Sequence, residues 1–577
     1  MPQRPGKRIE TVAPRASVPA WFQPLFLVLS CVLLVALFSR EISDTDFFWH
    51  LKSGQYIFDT RSLPDPDPFA YTTATAHATY SGEEITRRFN LTHEWLSQVL
   101  IYLVFRLGGF AGVVLGRAGL LASFCIVAGL IAYRRNVGFY RSVAVTFAVA
   151  ALAYSFAADR PYLVSFVLLA ITVAILDSGR RALLWVLPLV MLVWANCHGG
   201  FVLGWVILGG WSAEALWFRL RGRTVVGDSR LWLVSAASIL ITGLNPNGFR
   251  VISVLLDYRR SFLTSTLSEW RPIPLWPPSV FVILLVAGAA VLLYARRRVR
   301  MIDGMLFLVF AAAGLWAGRN TFLIGLWSPI LIATYLPKAV KIGAWVELGA
   351  AVLLSAALIS VAAAGRSLQL RVAEWAFPTG AAEFFRSHGL TQRMFNTYEY
   401  GGYLIWKLWP QERVFIDGRA LSESLFADYG RILYFAGDSN GKSAAQLLEQ
   451  YGIEVIVMNT FEHSSGVAHT LAPALAEAEN QQWKLVYADA TAVVFMRHPA
   501  AGMQVLDSAR VFDAMQAECD LHIEHEPQYP GCARALGLMF ASVGEPANAR
   551  RWLEKYLEHV RGKDPEAEAE FQKLLAQ

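Results

Sequence analysis

The stretch from Trp21 to His50 reads WFQPLFLVLSCVLLVALFSREISDTDFFWH, and it decides the fold. Up to Ser39 it is an uncharged apolar run, close to the length that crosses ~30 Å of hydrocarbon. Asp44 and Asp46 follow almost at once. Basic residues precede the run, and no small-residue cleavage site ends it, which indicates a retained helix and not a removed signal peptide. The pattern predicts a membrane-spanning helix that holds two carboxylates at the membrane surface.

The composition places most of the chain in a lipid bilayer. Of its 577 residues, 55% are hydrophobic and only 17% are charged, a balance too apolar for a soluble globular protein. Apolar runs of about 17 to 22 residues, the length of a membrane-spanning helix, recur from Trp21 to Ala364 and stop after Gly365. The net charge of +6 comes from short basic clusters between these runs. No basic stripe or arm is present, so we expect no nucleic-acid partner.

The basic clusters predict the topology, because Lys and Arg are enriched at the cytoplasmic ends of membrane helices. The stretch from Trp95 to Tyr133 is too long for one crossing. An interfacial helix from Trp95 to Leu107, followed by a single crossing, keeps the clusters on alternate connections. This gives about eleven crossings of a bacterial inner membrane, with a cytoplasmic N-terminus and a periplasmic C-terminal part. The cytoplasmic clusters are Arg134/Arg135, Arg180/Arg181, Arg219/Arg221/Arg223, Arg296/Arg297/Arg298/Arg300 and Lys338/Lys341.

The predicted fold is an α-helical polytopic membrane protein with a soluble C-terminal α/β domain. It has a cytoplasmic N-terminus (1–20), a transmembrane domain (21–364) with its first outer loop at 40–94, a periplasmic α/β domain (366–498) and a helical tail (499–577). In the α/β domain, strands are predicted at Arg393 to Thr397 and Glu454 to Met458, and a hairpin at Trp483 to Arg497. Asp417 and Arg419 form either a ligand site or a structural ion pair.

The tail contains one helical hairpin and two cysteines. Ala535 to Leu557 reads like a single tetratricopeptide-type hairpin, which cannot form a solenoid alone and is expected to pack on the α/β domain or to bind a protein partner. In an oxidising compartment we expect Cys519 and Cys532 to form a disulfide. Free thiols, or a metal site completed by His522 and His525, are the alternatives.

The polar motifs of the membrane part fall on the predicted outer side, beginning with Asp44 and Asp46 in the first loop. Paired carboxylates there can deprotonate a hydroxyl group or bind a divalent cation such as Mg²⁺ or Mn²⁺. The alternative is a solvated acidic turn beside a helix. Trp49, His50 and a proline-rich tract indicate a structured loop, which favours a functional role for the two carboxylates.

His93 and Glu94 stand immediately before the predicted interfacial helix. A carboxylate at a helix N-terminus stabilises the helix through its dipole, and this is one role open to Glu94. Its position on the same side as Asp44 and Asp46 also makes it a candidate second acid. Residue type favours neither interpretation over the other.

Three arginines and one histidine are candidates for anion binding. Arg117 lies in the second crossing among small residues and requires an anion there, either a first-loop carboxylate or the phosphate of a lipid-borne ligand. Arg160 and Arg319 stand at outer helix ends, and His198, in a tight outer turn, can bind phosphate or transfer a proton. Guanidinium groups around a phosphate would stabilise it as a leaving group. Snorkelling of the arginines to lipid head groups and simple solvation of the histidine are the alternatives.

These features together resemble the GT-C superfamily of membrane glycosyltransferases, which includes protein O-mannosyltransferases, aminoarabinose transferases and oligosaccharyltransferases. The resemblance covers the first helix, the acidic first loop, the interfacial helix after His93 and Glu94, and the arginine in the second crossing. It implies that Asp44 or Asp46 acts as a base or binds a metal. It also implies that a polyprenyl-phosphate-linked sugar is the donor and that Arg117 binds its phosphate.

The segment Tyr398, Glu399 and Tyr400 is similar to the aromatic-acidic motif that begins the soluble domain of oligosaccharyltransferases and helps to seat their acceptor, although the paired tryptophans of that motif are missing. The resulting hypothesis is transfer of a sugar to an acceptor glycan, lipid or protein outside the cytoplasm. The alternative is a non-catalytic envelope scaffold or lipid-binding subunit, which would need no polar cavity. A transporter is disfavoured because the chain shows no internal repeat.

Overall fold

The computed structural model describes residues 19, 21–74, 76–222, 228–258, 261–262, 268–337, 344–364, 367–419, 421–439, 441–477, 482–560 and 564–575. Apart from residue 19, the predicted cytoplasmic N-terminus (1–20) lies outside these ranges. Arg223, Lys338 and Lys341 of the predicted basic clusters lie outside them as well.

Helices make up the part of the chain before residue 365, with apolar sequences at the positions predicted for crossings. Two amphipathic helices, α2 and α3, form the first loop, here taken as residues 40–94. The helices are α1 (Phe22–Phe38), α2 (Phe47–Thr60), α3 (Glu83–Thr92), α4 (Trp95–Arg134), α5 (Phe139–Ala153), α6 (Tyr162–Asp177), α7 (Leu187–Cys197), α8 (Val202–Leu220), α9 (Asp228–Ile241), α10 (Val251–Asp257), α11 (Val280–Tyr294), α12 (Met301–Trp316), α13 (Phe322–Tyr335) and α14 (Ala344–Ala363).

Length and composition together mark three helical stretches in the described part of the chain as able to cross a membrane, namely Glu83–Arg134, Phe139–Phe156 and Gly199–Leu220. Seven further apolar helices there have 10 to 17 residues. Side chains such as Leu107 and Leu353 on these helices are 90% and 72% exposed, as expected of residues that face lipid. The chain is therefore an integral membrane protein, and the number of eleven crossings stays a prediction.

Helix α4 is broken at Gly109, two residues after the predicted end of the interfacial segment. Gly109 has φ 59° and ψ −154°, a conformation that only glycine adopts without strain. The two arms of the helix lie close together, since a Cβ at Gly112 would stand 3.0 Å from the carbonyl oxygen of Val104. The first arm packs on α2, where the rings of Phe58 and Tyr102 are 5.6 Å apart.

Polar residues gather at both ends of the helix bundle. At one end, Arg135 and Arg300 each bind Asp177 and Asp303, with N to O distances of 2.6 to 3.1 Å, and the Tyr335 hydroxyl donates to Asp303 at 2.6 Å. Asp177 ends α6, whereas Arg160, just before the opposite end of α6, binds Asp44 of the first loop. We refer to that opposite end as the first-loop end. The network of Arg135, Arg300, Asp177 and Asp303 and the first loop therefore lie at opposite ends of the bundle.

The soluble part contains a small mixed sheet with the strand order β1-β2-β4-β3. β1 and β2 pair in parallel, and the other pairs are antiparallel. Phe395, Ile456 and Phe495 pair across three strands and are at most 1% exposed, so they form the centre of this core. The strands are β1 (Met394–Asn396), β2 (Val455–Met458), β3 (Lys484–Ala488) and β4 (Val493–Met496), and the helices are α15 (Thr379–His388), α16 (Tyr398–Leu408), α17 (Glu423–Leu433), α18 (Ala444–Gln450) and α19 (Leu471–Ala476).

The described part of the tail contains four helices, and the second and third form a helical pair at the position of the predicted hairpin. A disulfide joins Cys519 of the first tail helix to Cys532 of the second. Trp552, which is fully buried, packs in the core that the tail shares with the α/β domain. The helices are α20 (Arg510–His525), α21 (Gly531–Ser542), α22 (Pro546–His559) and α23 (Pro565–Leu575).

Candidate active site

A polar cavity of about 200 Å³ opens at the first-loop end of the bundle. Its walls come from the first loop, from the connections between bundle helices and from the soluble part, so residues far apart in sequence meet there. The predicted site residues on its wall are Asp46, Trp49, His50, His93, Glu94, Arg160, His198 and Arg319. Residues that sequence reasoning did not single out as site residues include Glu83, Thr86, Asn90, Tyr258, Glu269, Trp270, Gly418 and Glu423.

Arg160 joins the two aspartates of the first loop. It binds Asp44 through Nε and Nη2 at 2.6 and 2.7 Å, and its Nη1 lies 2.8 Å from Asp46 Oδ2. The backbone N–H of Asp46 also donates to Asp44 Oδ1 at 3.1 Å. Asp44 therefore lies behind the cavity wall as an anchor for the guanidinium, and Asp46 presents its carboxylate to the cavity.

The surroundings of these two carboxylates move their pKa values in opposite directions. Burial raises the pKa of Asp46 to about 7, and the negative charge of Asp44 acts in the same direction, against the opposing charge of Arg160. Burial would also raise the pKa of Asp44, but the charge and hydrogen bonds of Arg160 outweigh it and lower that pKa. Two neighbouring carboxylates whose pKa values differ in this way have different chemical roles. Asp44 stays ionised, and Asp46 can accept a proton near neutral pH.

The two aspartates do not provide a suitable set of ligands for the predicted divalent cation. Mg²⁺ and Mn²⁺ need several oxygen ligands that converge on one point, but Asp44 and Asp46 both face the guanidinium of Arg160. Within the described ranges, no group of three or more His, Cys, Asp or Glu side chains could hold a metal ion. The aspartates are therefore organised around Arg160.

Glu94 lies in the cavity wall among three histidines. Its carboxylate oxygens lie 3.4 Å from His93 Nε2 and 3.6 Å from both His50 Nδ1 and His198 Nε2. His93 Nδ1 is 2.8 Å from the carbonyl oxygen of Phe89, which only a protonated Nδ1 can satisfy. This hydrogen bond holds the ring with Nε2 toward the Glu94 carboxylate.

Hydrogen bonds from residues behind the cavity wall determine the tautomer of His198. The Trp194 indole N–H donates to Ser165 Oγ at 2.7 Å, which leaves the Ser165 hydroxyl to donate to His198 Nδ1 at 2.7 Å. The Gly200 N–H donates to the same nitrogen at 3.0 Å. Since Nδ1 accepts, the neutral ring carries its proton on Nε2, and this proton points at Glu94.

The charges in this cluster follow from its burial. Burial alone would raise the pKa of Glu94, but the charge and hydrogen bond of His93, together with His50 and His198, lower it. Burial lowers the pKa of His50 to about 4 and that of His198 to about 3, although the charge of Glu94 opposes both shifts. At neutral pH the cluster thus holds an ionised Glu94 next to neutral His50 and His198.

Two guanidinium groups flank a carboxylate elsewhere on the cavity wall. Glu269 lies 3.3 Å from Arg319 Nη1 and 3.9 Å from Arg160 Nη1. Arg319 also stacks on the ring of Trp270, 4.5 Å from its centre. Glu269 is the more exposed partner, with 44% of its side chain accessible. The position between the two arginines therefore accepts an anion, and in the structure the Glu269 carboxylate occupies it.

Arg117 does not reach the cavity. Its guanidinium binds Asp159 and donates to the backbone carbonyls of Phe38 and Arg40, and the residue is 4% exposed. All of these partners belong to the protein, so the contacts leave no position for the predicted donor phosphate. The anion that Arg117 requires is Asp159, and the resulting pair ties α4 to the ends of α1 and α5.

The predicted acceptor-binding segment lies behind the cavity wall as well. The Tyr398 hydroxyl donates to the carbonyl of Gly418 at 2.8 Å, Glu399 accepts from Asn459 at 2.7 Å, and the Tyr400 hydroxyl donates to the carbonyl of Thr491. Glu399 and Tyr400 therefore point into the α/β domain, where they cannot contact an acceptor. Tyr398 supports Gly418, which itself lines the cavity.

The sequence left two interpretations of Asp417 and Arg419 open, a ligand site or a structural ion pair. In the structure they form an ion pair, and a residue of the first loop joins it. Arg419 binds Asp417 at 2.6 Å and Asp67 at 2.8 Å, and all three side chains are about 2% exposed or less. The ring of Phe69 packs under the guanidinium, 5.3 Å away. This triad fixes the first loop to the soluble part and so closes one side of the cavity.

No protein-family model and no curated protein sequence matches the chain. Among solved structures, it is similar to the oligosaccharyltransferase AglB from Archaeoglobus fulgidus in complex with an inhibitory peptide and a dolichol-phosphate, with a TM-score of 0.50, 10% identity, and coverage of 85% of this chain and 77% of AglB. A structure of an Archaeoglobus fulgidus oligosaccharyltransferase tethered to an acceptor peptide gives a TM-score of 0.47, 10% identity, and coverage of 84% of this chain and 75% of that protein. ArnT from Cupriavidus metallidurans gives a TM-score of 0.45, 16% identity, and coverage of 83% and 97%.

The similarity to AglB shows the fold. The chain shares its fold with AglB and consists of an apolar helix bundle, a helical first loop and a soluble part built around a small sheet. The resemblance that the sequence predicted is therefore confirmed at the level of the fold. At 10% identity the comparison does not extend to activity, which depends on the residues of the site itself.

Proposed function

We propose that this protein is a membrane glycosyltransferase that moves a sugar from a polyprenyl-phosphate carrier to an acceptor hydroxyl. One observation carries the proposal: Asp46, a carboxylate with a pKa near neutrality, faces a cavity that also presents Arg160 and Arg319. A general base and an anion site are the two functions that this reaction needs. The scaffold alternative needs no such cavity.

In the proposed mechanism the acceptor hydroxyl attacks the anomeric carbon of the donor sugar. Asp46 takes the hydroxyl proton as the new glycosidic bond forms, and the bond from the anomeric carbon to the carrier phosphate breaks. The phosphate leaves with the bonding electrons, and Arg160 and Arg319 neutralise its charge. Asp44 keeps Arg160 in place through its two hydrogen bonds. Asp46 then passes the proton to the released phosphate or to water.

The place of the cavity supports a lipid-linked donor. It opens where bundle helices end, so a ligand with a lipid tail can reach it from the bilayer, and AglB holds a dolichol-phosphate on the same fold. We assign the first-loop end, the α/β domain (366–498) and the tail to the periplasmic side of an inner membrane crossed about eleven times. The acceptor, a glycan, lipid or protein, then approaches from the periplasm. The tail is a candidate surface for a protein partner.

The experiment is a transfer assay with an Asp46→Asn variant. Purified protein in lipid nanodiscs is incubated with radiolabelled polyprenyl-phosphate sugars and with an extract of envelope glycans and lipids, and labelled products are separated by chromatography. Because a positioned base contributes about 10²- to 10⁴-fold, D46N is expected to lose at least two orders of magnitude in rate with an unchanged unfolding temperature.

The matched control is Asp59→Asn, on the exposed end of the same helix α2, which should keep the wild-type rate. Transfer by D46N at the wild-type rate would reject the assignment of the base. Absence of transfer by the wild-type protein with every donor offered would favour the scaffold instead.

A further inference from the structure

The side of the cavity formed by Glu83 and Glu423 has no role in the mechanism above. Glu83 begins α3 of the first loop, and Glu423 begins α17 of the soluble part, so the two carboxylates face each other across the boundary between these regions. The N–H of Glu423 donates to Glu83 at 2.9 Å. Thr79 completes the pairing, since its N–H donates to Glu83 at 2.6 Å.

The two carboxylates have fewer donors than they can accept. The hydroxyl of Thr79 lies 3.1 Å from Glu83 Oε2 and 3.0 Å from Glu423 Oε2, but one hydroxyl proton serves one acceptor at a time. Glu423 Oε1 has no hydrogen-bond partner in the described part of the chain, although the residue is only 6% exposed and lines the cavity. Leaving a buried carboxylate oxygen without a donor is costly, and the cavity is the side from which a water or a ligand can supply one.

The neighbouring wall has the composition of a surface that binds sugars. Tyr258 donates to the side chain of Asn90 at 3.0 Å, and its ring lies 5.2 Å from that of Trp270. Aromatic faces and edges pack against the C–H groups of a sugar ring, and carboxylates and amides accept its hydroxyl protons. Arg87 Nη2 lies 3.8 Å from Glu83 Oε1 and offsets the charge of that carboxylate. Among the described residues, the charge of Glu423 has no such partner, so it repels an anion at short range.

We propose that Glu423, supported by Glu83, binds the hydroxyl or amino groups of a sugar ring and excludes sugars that carry a carboxylate. The inference rests on the proposed function and adds the class of sugar, which is neutral or amino. It gives the cavity two distinct sides, one around Arg160 and Arg319 for the phosphate and one around Glu423 for the sugar.

The test measures binding, so it does not depend on transfer. Protein in nanodiscs is titrated with methyl glucoside, glucosamine and glucuronate, followed by saturation-transfer NMR. The wild-type protein should bind glucuronate at least about tenfold more weakly than the other two, because its carboxylate is repelled by the like charge of Glu423. In Glu423→Gln this discrimination should fall to about threefold or less.

Two variants control the experiment. Glu383→Gln removes an exposed carboxylate of α15 in the same domain and should keep the wild-type discrimination. Glu423→Asp keeps the charge but shortens the side chain, so it should weaken sugar binding and still exclude glucuronate, which protects the test if E423Q folds poorly. Equal binding of all three sugars by the wild-type protein, binding of none, or unchanged discrimination in E423Q would overturn the proposal.

A second pair of probes distinguishes a donor sugar from an acceptor sugar. If the subsite holds the donor sugar, a short prenyl-phosphoglucose should displace methyl glucoside and lose about tenfold in affinity in E423Q, while prenyl phosphate is unaffected. If it holds the acceptor sugar, prenyl-phosphoglucose and methyl glucoside should bind together. An effect of E423Q on prenyl phosphate alone would contradict both. Sugar discrimination without any transfer would retain the subsite and reject the proposed reaction.

Discussion

Arg160 binds Asp44 in a bidentate pair, with both oxygens of one carboxylate held at 2.6 and 2.7 Å. This geometry orients the guanidinium plane, because two parallel hydrogen bonds fix a fork where a single bond would let it turn. The remaining nitrogen, Nη1, is thereby directed to Asp46 and lies on the cavity side. One arginine therefore positions the proposed base and contributes to the proposed phosphate site.

Because the bidentate pair orients Arg160, Arg160→Lys should strongly reduce activity although it keeps the positive charge. A lysine ammonium cannot form the bidentate pair or reach Asp46 from the same position. We expect kcat/KM for the donor to fall by about two orders of magnitude, a loss equal to that of one positioned electrostatic group. Steady-state transfer rates measure it, and Arg250→Lys, at an exposed position on the same side, is the control. Near wild-type kinetics of R160K would show that the orientation of the guanidinium is unimportant.

The pH profile of transfer follows from the raised pKa of Asp46. The base must be ionised to accept a proton, and its pKa is about 7, so kcat/KM should rise about tenfold per pH unit below pH 7 and become level above it. The negative charge of Asp44 contributes to this shift. Asp44→Asn should therefore move the rising limb to lower pH in whatever activity it retains. A rate that is constant from pH 5.5 to 8 would contradict the assignment.

Glu269 occupies the anion position between Arg160 and Arg319 and should compete with the donor phosphate. Removing its charge in Glu269→Gln leaves both guanidinium groups available, so we expect prenyl phosphate to bind about 2- to 5-fold more tightly, the range of an exposed ion pair. Fluorescence titration with a short-chain prenyl phosphate measures the affinity. Glu374→Gln, remote from the arginines, should not change it. Weaker binding in E269Q would mean that Glu269 supports the site and does not compete for it.

Sequence reasoning located the parts of the site that lie beside helix ends. Asp46, Arg160, His198 and Arg319 are polar residues next to long apolar runs, and burial of such groups at the end of a membrane helix is costly unless they face a cavity or a partner. Hydropathy and charge alternation placed them all on one side, and in the structure all of them line one cavity. That inference required no knowledge of tertiary contacts.

The same reasoning could not determine which charge pairs with which. Asp159 and Arg160 are adjacent in sequence, yet they point to different partners, Asp159 to Arg117 and Arg160 to Asp44. A single arginine inside a membrane helix indicates that an anion is present but does not identify it. Glu423 could not be predicted from the sequence for two reasons. Its partner Glu83 lies 340 residues earlier in the chain. In addition, an acidic residue at the start of a helix is usually explained by the helix dipole.

The buried triad of Arg419, Asp67 and Asp417 should contribute strongly to stability. Arg419→Met keeps the length and apolar packing of the side chain but leaves two carboxylates buried without a partner, a change that costs about 3 to 5 kcal/mol when one member of a buried ion pair is lost. We expect a clearly lower unfolding temperature in detergent. Arg371→Met removes a pair in which the arginine is 72% exposed and should cost less than about 1 kcal/mol. Equal effects of the two variants would mean that the triad adds no more than a surface pair.

Gly418 lies against the proposed base, and its lack of a side chain is what lets the soluble part approach Asp46. A Cβ at this position would overlap Asp46 Oδ1 and stand 3.1 Å from the indole nitrogen of Trp49. In Gly418→Ala the carboxylate must turn away from its place beside Arg160. We therefore expect kcat to fall by about 10²-fold, as misplacement of a catalytic group by ~1 Å does, while the unfolding temperature changes little.

The matched control for this variant is Gly437→Ala in the same domain, where an added Cβ would meet no atom within 4 Å. It should transfer sugar at the wild-type rate. Prenyl phosphate binding separates the causes: G418A should keep most of its affinity because Arg319 is untouched, so the loss should lie in the chemical step. If G418A instead kept its kcat and lost only phosphate affinity, Asp46 would serve to hold Arg160, and the base would have to be sought at Glu94.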